Sequence, residues 1–179
     1  MASIIGVETL QHTNGTTAAT IKSDGTFYPT GGVVQVVQGL KTDSASTTST
    51  SFTNTGLSAS ITPSSASSKI LITVNTVIGQ SNFQKRVHLK LDGGNTSVYI
   101  GDAGTGVESA VTVVSRVSDS YGMIPVSMQY LDSPATTSAI TYNVQWRVEG
   151  ETGYMNRPAT LDAQGANTAS TIILQEIAG

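Results

Sequence analysis

Residues 142–149 read Tyr-Asn-Val-Gln-Trp-Arg-Val-Glu, and this stretch shows most clearly which fold the chain adopts. Tyr142, Val144, Trp146 and Val148 alternate with polar residues, so one side of the segment is apolar and the other is polar. Successive side chains of a β-strand point to opposite faces of the sheet. The alternation therefore predicts a half-buried strand, with the tyrosine and the tryptophan in a core.

The same period-two pattern recurs along the chain. It is present in residues 69–79, 85–92 and 124–130, and no window shows apolar residues at helical spacing over three turns. Residues 171–177 are apolar on both faces apart from a Gln and a Glu, which predicts a central strand or one that a neighbouring subunit covers. Eight to ten such strands, at about twelve-residue spacing, predict an all-β chain forming an antiparallel, jelly-roll-like β-sandwich.

Turn residues separate the predicted strands. Asn14-Gly15 and Asp24-Gly25 indicate short hairpins, because these residue types tolerate positive φ. The Asp-Gly-Gly-Asn sequence at 92–95 predicts a tight turn that joins two strands. The Ser/Thr-rich tract at 42–51 predicts an exposed loop between strands.

The first 31 residues differ from the rest of the chain and predict an attachment arm. Their apolar side chains are too few to close a core; they are Ile4, Ile5, Val7, Leu10, Ile21 and Phe27. We therefore divide the chain into an N-terminal attachment arm, residues 1–31, and a β-sandwich domain, residues 32–179. The arm is expected to lie on the main domain, on sibling chains or on another protein.

The composition restricts the class of function. Ser and Thr supply 48 of the 179 residues, whereas charged residues supply 12%, about half the usual share. The net charge of -3 argues against binding to nucleic acid, which favours a basic stripe. The lack of cysteine excludes disulfides and thiolate metal sites. The sequence shows neither a signal peptide nor an apolar run of the roughly 20 residues that span a membrane, so we expect synthesis in a cytosol without membrane insertion.

No catalytic, cofactor or metal site is predicted, and we expect the protein not to be an enzyme. The two histidines lie in unrelated contexts, and no serine lies in a nucleophile-elbow motif. Glu149 and Glu151 are the one close carboxylate pair of the kind that a glycan depolymerase needs across a groove. We interpret this pair as a solvated strand end.

Four aspartates fall in predicted loops, where oxygen ligands from neighbouring strands could bind calcium. They are Asp92, Asp102, Asp119 and Asp132. Their spacing differs from that of a calcium-binding loop, so we predict no calcium site.

One basic patch is a candidate ligand or interface site. Arg86, His88 and Lys90 share the polar face of a predicted strand. Three interpretations stay open: a solvated face, a cross-subunit pairing with acids such as Glu149 or Glu151, or a surface for an anionic glycan. The two flanking cations are expected to lower the pKa of the histidine.

Three tyrosines near loops, Tyr99, Tyr121 and Tyr154, are candidates for stacking on a host sugar. A free carbohydrate-binding module would need an exposed aromatic platform on a sheet face. The strand aromatics mostly alternate inward, which counts against that class.

Four stretches together resemble one group of proteins. They are VVQVVQGLKTD at 33–43, GLSASITPSSASSKILI at 56–72, LDSPATTSAITY at 131–142 and TIILQEI at 171–177, where the group commonly has methionine in place of Gln175. The arm sequence at 6–25 is similar as well. The chain thus resembles fibre-like and virion-associated structural proteins of marine and cyanobacterial bacteriophages, of the tail-fibre or head-decoration type. The motifs are structural, and the resemblance implies a jelly-roll-like homotrimer.

The resemblance implies a structural protein located in the virion after assembly in the host bacterial cytoplasm. Two positions stay open. A capsid decoration or head-fibre protein would hold the shell with its arm and present the sandwich outward. A tail-fibre or receptor-binding protein would join a tail adaptor and recognise host surface glycan. The short chain without internal repeats favours the capsid, and a free carbohydrate-binding module is the third alternative.

Overall fold

The computed structural model describes residues 6–23, 25, 27–81, 84–102, 110, 112–115, 119–162 and 165–179. Over these residues the chain is all-β, and every strand pairing is antiparallel. The strands are β1 (Thr9–Gln11), β2 (Thr17–Ile21), β3 (Phe27–Pro29), β4 (Val33–Lys41), β5 (Ala45–Thr47), β6 (Thr53–Ile61), β7 (Lys69–Gln80), β8 (Arg86–Asp92), β9 (Thr112–Ser115), β10 (Met123–Asp132), β11 (Ile140–Val148), β12 (Gly153–Met155) and β13 (Ser170–Ile177). A 3-10 turn spans Thr96–Val98.

Two sheets pack face to face to form the sandwich. In the β7 sheet the long strands follow the order β4-β13-β7-β10. The short strand β12 pairs with the part of β7 that extends past the first residue of β13, and β5 pairs with β12. In the β11 sheet the order is β6-β11-β8-β9. Each sheet alternates strands from early and late in the chain, as the two sheets of a jelly roll do. The predicted fold, an antiparallel jelly-roll-like β-sandwich, is confirmed.

The core lies between these sheets and follows the alternation of the sequence. Tyr142 and Trp146 of β11 are 0% and 2% exposed, as residues 142–149 predict. Ile72 of β7 faces them from the other layer and is fully buried, as is Leu174 of β13. Strand β13 lies between β4 and β7, so residues 171–177 form a central strand.

A buried polar cluster closes one end of the β7 sheet. Asn156 has a φ of 64°, which asparagine tolerates better than most residues. Its amide donates hydrogen bonds to the carbonyls of Lys41 (2.9 Å) and Asp43 (3.0 Å). Its oxygen accepts one from the hydroxyl of Ser170 (2.5 Å), so a single side chain joins three segments that are distant in sequence.

Two local predictions differ from the structure. The tract at 42–51, expected to be a loop, contains β5, because β12 pairs with it and satisfies its backbone groups. The turn at 92–95 leads into the 3-10 turn instead of a strand. Gly94, at a φ of 53°, leaves room for Asp132, whose carboxylate accepts a hydrogen bond from the backbone N–H of Asn95 at 3.1 Å.

Candidate interaction surfaces

The N-terminal arm forms a three-stranded sheet, β1-β2-β3, and its described residues pair with no strand of the sandwich. The predicted Asn14-Gly15 hairpin is present, with Gly15 at a φ of 83°. Leu10 is 44% exposed and Phe27 is 54% exposed, whereas Val7 and Ile21 are half-buried. The predicted arm residues Ile4 and Ile5 lie outside the described residues. The described part of the arm therefore presents apolar side chains to its surroundings.

Tyr28 joins the arm to the sandwich. Its hydroxyl lies 2.8 Å from the hydroxyl of Ser68, and the Lys22 ammonium lies 4.1 Å from its ring centroid. Next along the chain, the N–H of Gly31 donates to the carbonyl of Ala178 at 3.1 Å. These contacts are polar and local, so they fix the position of the arm without covering its apolar side chains.

A buried carboxylate lies beside this junction. Glu176 of β13 is 1% exposed, and its Oε1 accepts hydrogen bonds from the N–H and the hydroxyl of Ser64 at 2.7 and 2.6 Å. With its amide nitrogen turned inward, Gln35 donates to Oε2 at 3.2 Å. Charge-assisted hydrogen bonds of this kind offset the cost of burying an acid. The carboxylate therefore helps to hold the loop before β7 against the end of β13.

The outward side of the β11 sheet carries the predicted basic patch. The carboxylate of Glu149 accepts from Arg86 Nη1 at 3.1 Å and lies 3.2 Å from His88 Nε2. Arg147, on the adjacent strand, places Nη2 3.3 Å from His88 Nδ1. Glu149 thus pairs with two of the predicted residues inside one chain. We call Arg86, His88, Lys90, Arg147 and Glu149 the charged cluster.

His88 is 4% exposed in the charged cluster. Burial lowers its pKa, the hydrogen bond to Glu149 opposes this change, and the positive charges of Arg147 and Arg86 lower the pKa further. The direction agrees with the sequence prediction, but burial is the main cause. Burial raises the pKa of Glu149, yet hydrogen bonds from His88 and Arg86 outweigh it and bring that pKa below its ordinary value.

Lys90 lies next to an aromatic ring that the sequence alone does not indicate. Its ammonium lies 4.8 Å from the ring centroid of Phe52, and the guanidinium carbon of Arg147 lies 5.3 Å from the same centroid. Cations at these distances are attracted to the face of the ring. Residue 147 is placed outward by the alternation in 142–149. Arg147 lies opposite His88 and near Phe52 because segments far apart in the sequence pair with each other.

The three candidate tyrosines lie in different environments. Tyr99 stacks on Tyr130, with ring centroids 4.7 Å apart and planes 14° apart. Tyr154 of β12 lies under the guanidinium of Arg157, 4.3 Å from its ring centroid. Tyr121, in the turn before β10, is 55% exposed. Of these three described tyrosines, Tyr121 is the one whose ring is largely open to solvent.

The outward side of the β7 sheet has a different chemistry. Its four long strands, which the structure describes in full, carry a single ionisable side chain there, Lys69 at one end. Val36 and Leu40 of β4 are 59% and 61% exposed, and Leu131 of β10 is 44% exposed. We call this surface the uncharged face; it comprises Val33, Val36, Gln38, Leu40, Leu71, Thr73, Asn75, Val77, Pro125, Ser127, Gln129, Leu131, Thr171, Ile173, Gln175 and Ile177.

Among the described residues, no group of three His, Cys, Asp or Glu side chains could hold a metal ion, and no helix is long and apolar enough to cross a membrane. No model of a known protein family matches the chain, and a search of the curated proteins finds no match. The arm, the charged cluster and the uncharged face are therefore interpreted from their own chemistry.

Proposed function

We propose that the chain is a non-enzymatic structural protein of a bacteriophage virion, a capsid decoration or head-fibre subunit that projects outward and is anchored by its arm. The observation that carries this proposal is the exposure of Leu10 and Phe27 on a three-stranded sheet outside the sandwich. Three short strands do not form a core of their own, and exposed apolar side chains on such a unit indicate binding to another surface.

The charged cluster supports a role other than catalysis. A glycosidase needs two carboxyl groups that both reach the substrate. Glu149 is occupied by Arg86 and His88 within its own chain. Glu151, two residues later, is exposed in a turn at a φ of 66°. Glu149 therefore serves to neutralise its cationic neighbours.

A tail-fibre or receptor-binding role is the second candidate, and one observation favours it. Phe52, Lys90 and Arg147 lie together on the outward side of the β11 sheet. An aromatic ring beside two cations is suited to a sugar that carries a carboxylate or a sulfate, because arginine and lysine bind such anions. In that role the same face would contact host surface glycan.

The arm is tested by incorporation into phage particles produced from the genome that encodes the chain. The double variant Leu10→Asp/Phe27→Asp changes exposed side chains, so we expect it to fold and to fall at least about tenfold in its amount per particle. The matched control, Asn54→Asp/Ser58→Asp, adds the same charge on the outward side of the β11 sheet and should be incorporated normally. Quantitative mass spectrometry of purified particles measures both.

The proposal is wrong if the wild-type chain is absent from purified particles, or if the arm variant is incorporated as well as the wild type.

The tail-fibre alternative has its own measurement. Phe52→Ala and Lys90→Gln should reduce binding of the purified chain to host cells if the β11 sheet recognises glycan. Unchanged binding, or no binding by the wild type, removes that alternative.

A further inference from the structure

We propose that the uncharged face is the surface through which identical copies of this chain bind one another, head to tail, in a closed ring. The inference rests on the proposed function, because a projecting virion subunit of this kind is expected to be an oligomer. It goes further by assigning the contact to the outward side of the β7 sheet. The occupant of this face is a second copy of the same chain.

The distribution of charge supports a second copy as the occupant. Two identical charged surfaces repel each other, whereas an uncharged surface meets its own copy without that cost. On the four long strands that the structure describes, Lys69 is the one outward ionisable side chain, and it lies beyond one end of the uncharged face. Its Gln and Thr side chains carry both donors and acceptors, so each is able to pair with a side chain of its own type. The charged cluster lies on the opposite side of the sandwich, where it would stay in solvent.

The uncharged face has a raised part and a recessed part, and the raised part of one copy could fit the recessed part of the next. A ridge runs along edge strand β4, where Val36 and Leu40 are more than half exposed. A groove of about 400 Å³ lies over β7 and β10 and is lined by residues that include Val77, Pro125 and Ala169. The ridge and the groove are two strands apart, roughly 10 Å at ordinary strand spacing.

The groove has a structural cause in the strand pairing. On one edge of β7, the pairing with β13 stops at Asn75 and the pairing with β12 begins at Ile78. Residues 76 and 77 therefore have no partner strand on that edge, where the N–H of Asn156 donates to the carbonyl of Val77 at 2.9 Å instead. A ridge and a groove at different positions on one subunit define a heterologous contact, which gives a ring where the rotation between copies closes and an open filament where it does not. The proposed arrangement is the closed ring, of three or more copies.

The test is the mass of the purified full-length chain in solution, measured by light scattering and sedimentation. We expect the wild type to have three or more times the monomer mass. Val36→Glu on the ridge and Ser127→Glu in the groove should each reduce this mass. The control Ser58→Glu adds the same charge to an exposed position of the β11 sheet and should leave the mass unchanged. Circular dichroism verifies that each variant is folded.

Mixing the two disrupted variants tests the head-to-tail arrangement. A Val36→Glu chain keeps its groove and a Ser127→Glu chain keeps its ridge, so a mixture should form a one-to-one complex that neither variant forms alone. The inference is overturned if the wild type is a monomer, since another virion protein would then cover the face. It is also overturned if neither variant lowers the mass, or if the mixture forms no complex. All these results are obtained without particles, so the inference can fail while arm attachment stands.

Discussion

The two outward sides of the sandwich have opposite chemistry although their inward sides are alike. Both sheets bury aliphatic and aromatic residues at alternate positions. Outward, the β11 sheet carries Arg86, His88, Lys90 and Arg147, with Glu149 among them. The β7 sheet carries valines, leucines, amides and hydroxyls instead. The inward side chains determine the fold, and the outward side chains determine which surfaces each side is suited to contact.

The largest expected effect comes from the inward layer that both sides share. Trp146→Ala removes a side chain that is 2% exposed between the sheets. A cavity of this kind costs about 3–5 kcal/mol of the free energy of unfolding. Denaturant titration measures the loss, and Phe52→Ala, at a partly buried outward position, should cost less. Equal losses in the two variants would contradict the distinction between inward and outward residues.

A smaller loss is expected from a buried hydrogen bond at the edge of the same layer. The Tyr142 hydroxyl donates to Asp132 Oδ2 at 2.6 Å, and Asp132 is fully buried. Tyr142→Phe removes one of the two hydrogen bonds described for that oxygen, which costs about 1–3 kcal/mol. The exposed Tyr121→Phe is the control and should change the free energy of unfolding by no more than about 0.5 kcal/mol. A neutral Tyr142→Phe would show that the hydroxyl does not stabilise the buried acid.

The charged cluster should make stability depend on pH. The pKa of His88 is lower in the folded chain than its ordinary 6.5, so the unfolded chain binds a proton more readily. Stability is therefore full above pH 6.5 and falls as the pH drops through 6.5 to the folded pKa. Glu149, whose folded pKa is also lowered, stabilises above about pH 4.5 and loses this contribution as the pH falls through its folded value.

Thermal unfolding between pH 8 and pH 5 measures the histidine effect. His88→Gln should flatten the pH dependence near 6.5, whereas His12→Gln, in the exposed arm, should keep the wild-type profile. If both variants keep the wild-type profile, the lowered pKa of His88 does not contribute to stability.

The smallest effect on intrinsic stability is expected on the uncharged face. Val36 is 59% exposed, so Val36→Glu should change the free energy of unfolding of the monomer by about 0.5 kcal/mol or less. The proposed assembly should nevertheless make the wild-type unfolding midpoint rise with protein concentration. The variant should lose this dependence. A midpoint that rises equally in both proteins would place the contact elsewhere.

The alternation in the sequence predicts most of the sandwich, because an inward side chain every second residue is a local property. Tyr142, Trp146 and the central position of β13 all follow from it. Other features depend on pairings between distant segments. Asp132, expected in a loop, is the last residue of β10 and is buried, because Tyr142 and the Asn95 N–H reach its carboxylate.

The surfaces were harder to predict than the core. The sequence places Arg86, His88 and Lys90 on one side of β8, but Arg147 joins them only through the register between β8 and β11. The uncharged face is assembled from four strands that are far apart in sequence. The one local indication of this face in the sequence is the segment 171–177, which is apolar on both sides.

The most direct test of the account is cryo-electron microscopy of particles produced from the encoding genome, at side-chain resolution. We expect rings of this chain on the capsid, with Leu10 and Phe27 against another virion protein. The uncharged faces should lie between copies, and Phe52 and the charged cluster should face solvent. Particles without the chain would contradict the proposed function. Copies that meet through the charged cluster, with Val36 and Leu40 in solvent, would contradict the assignment of the two sides.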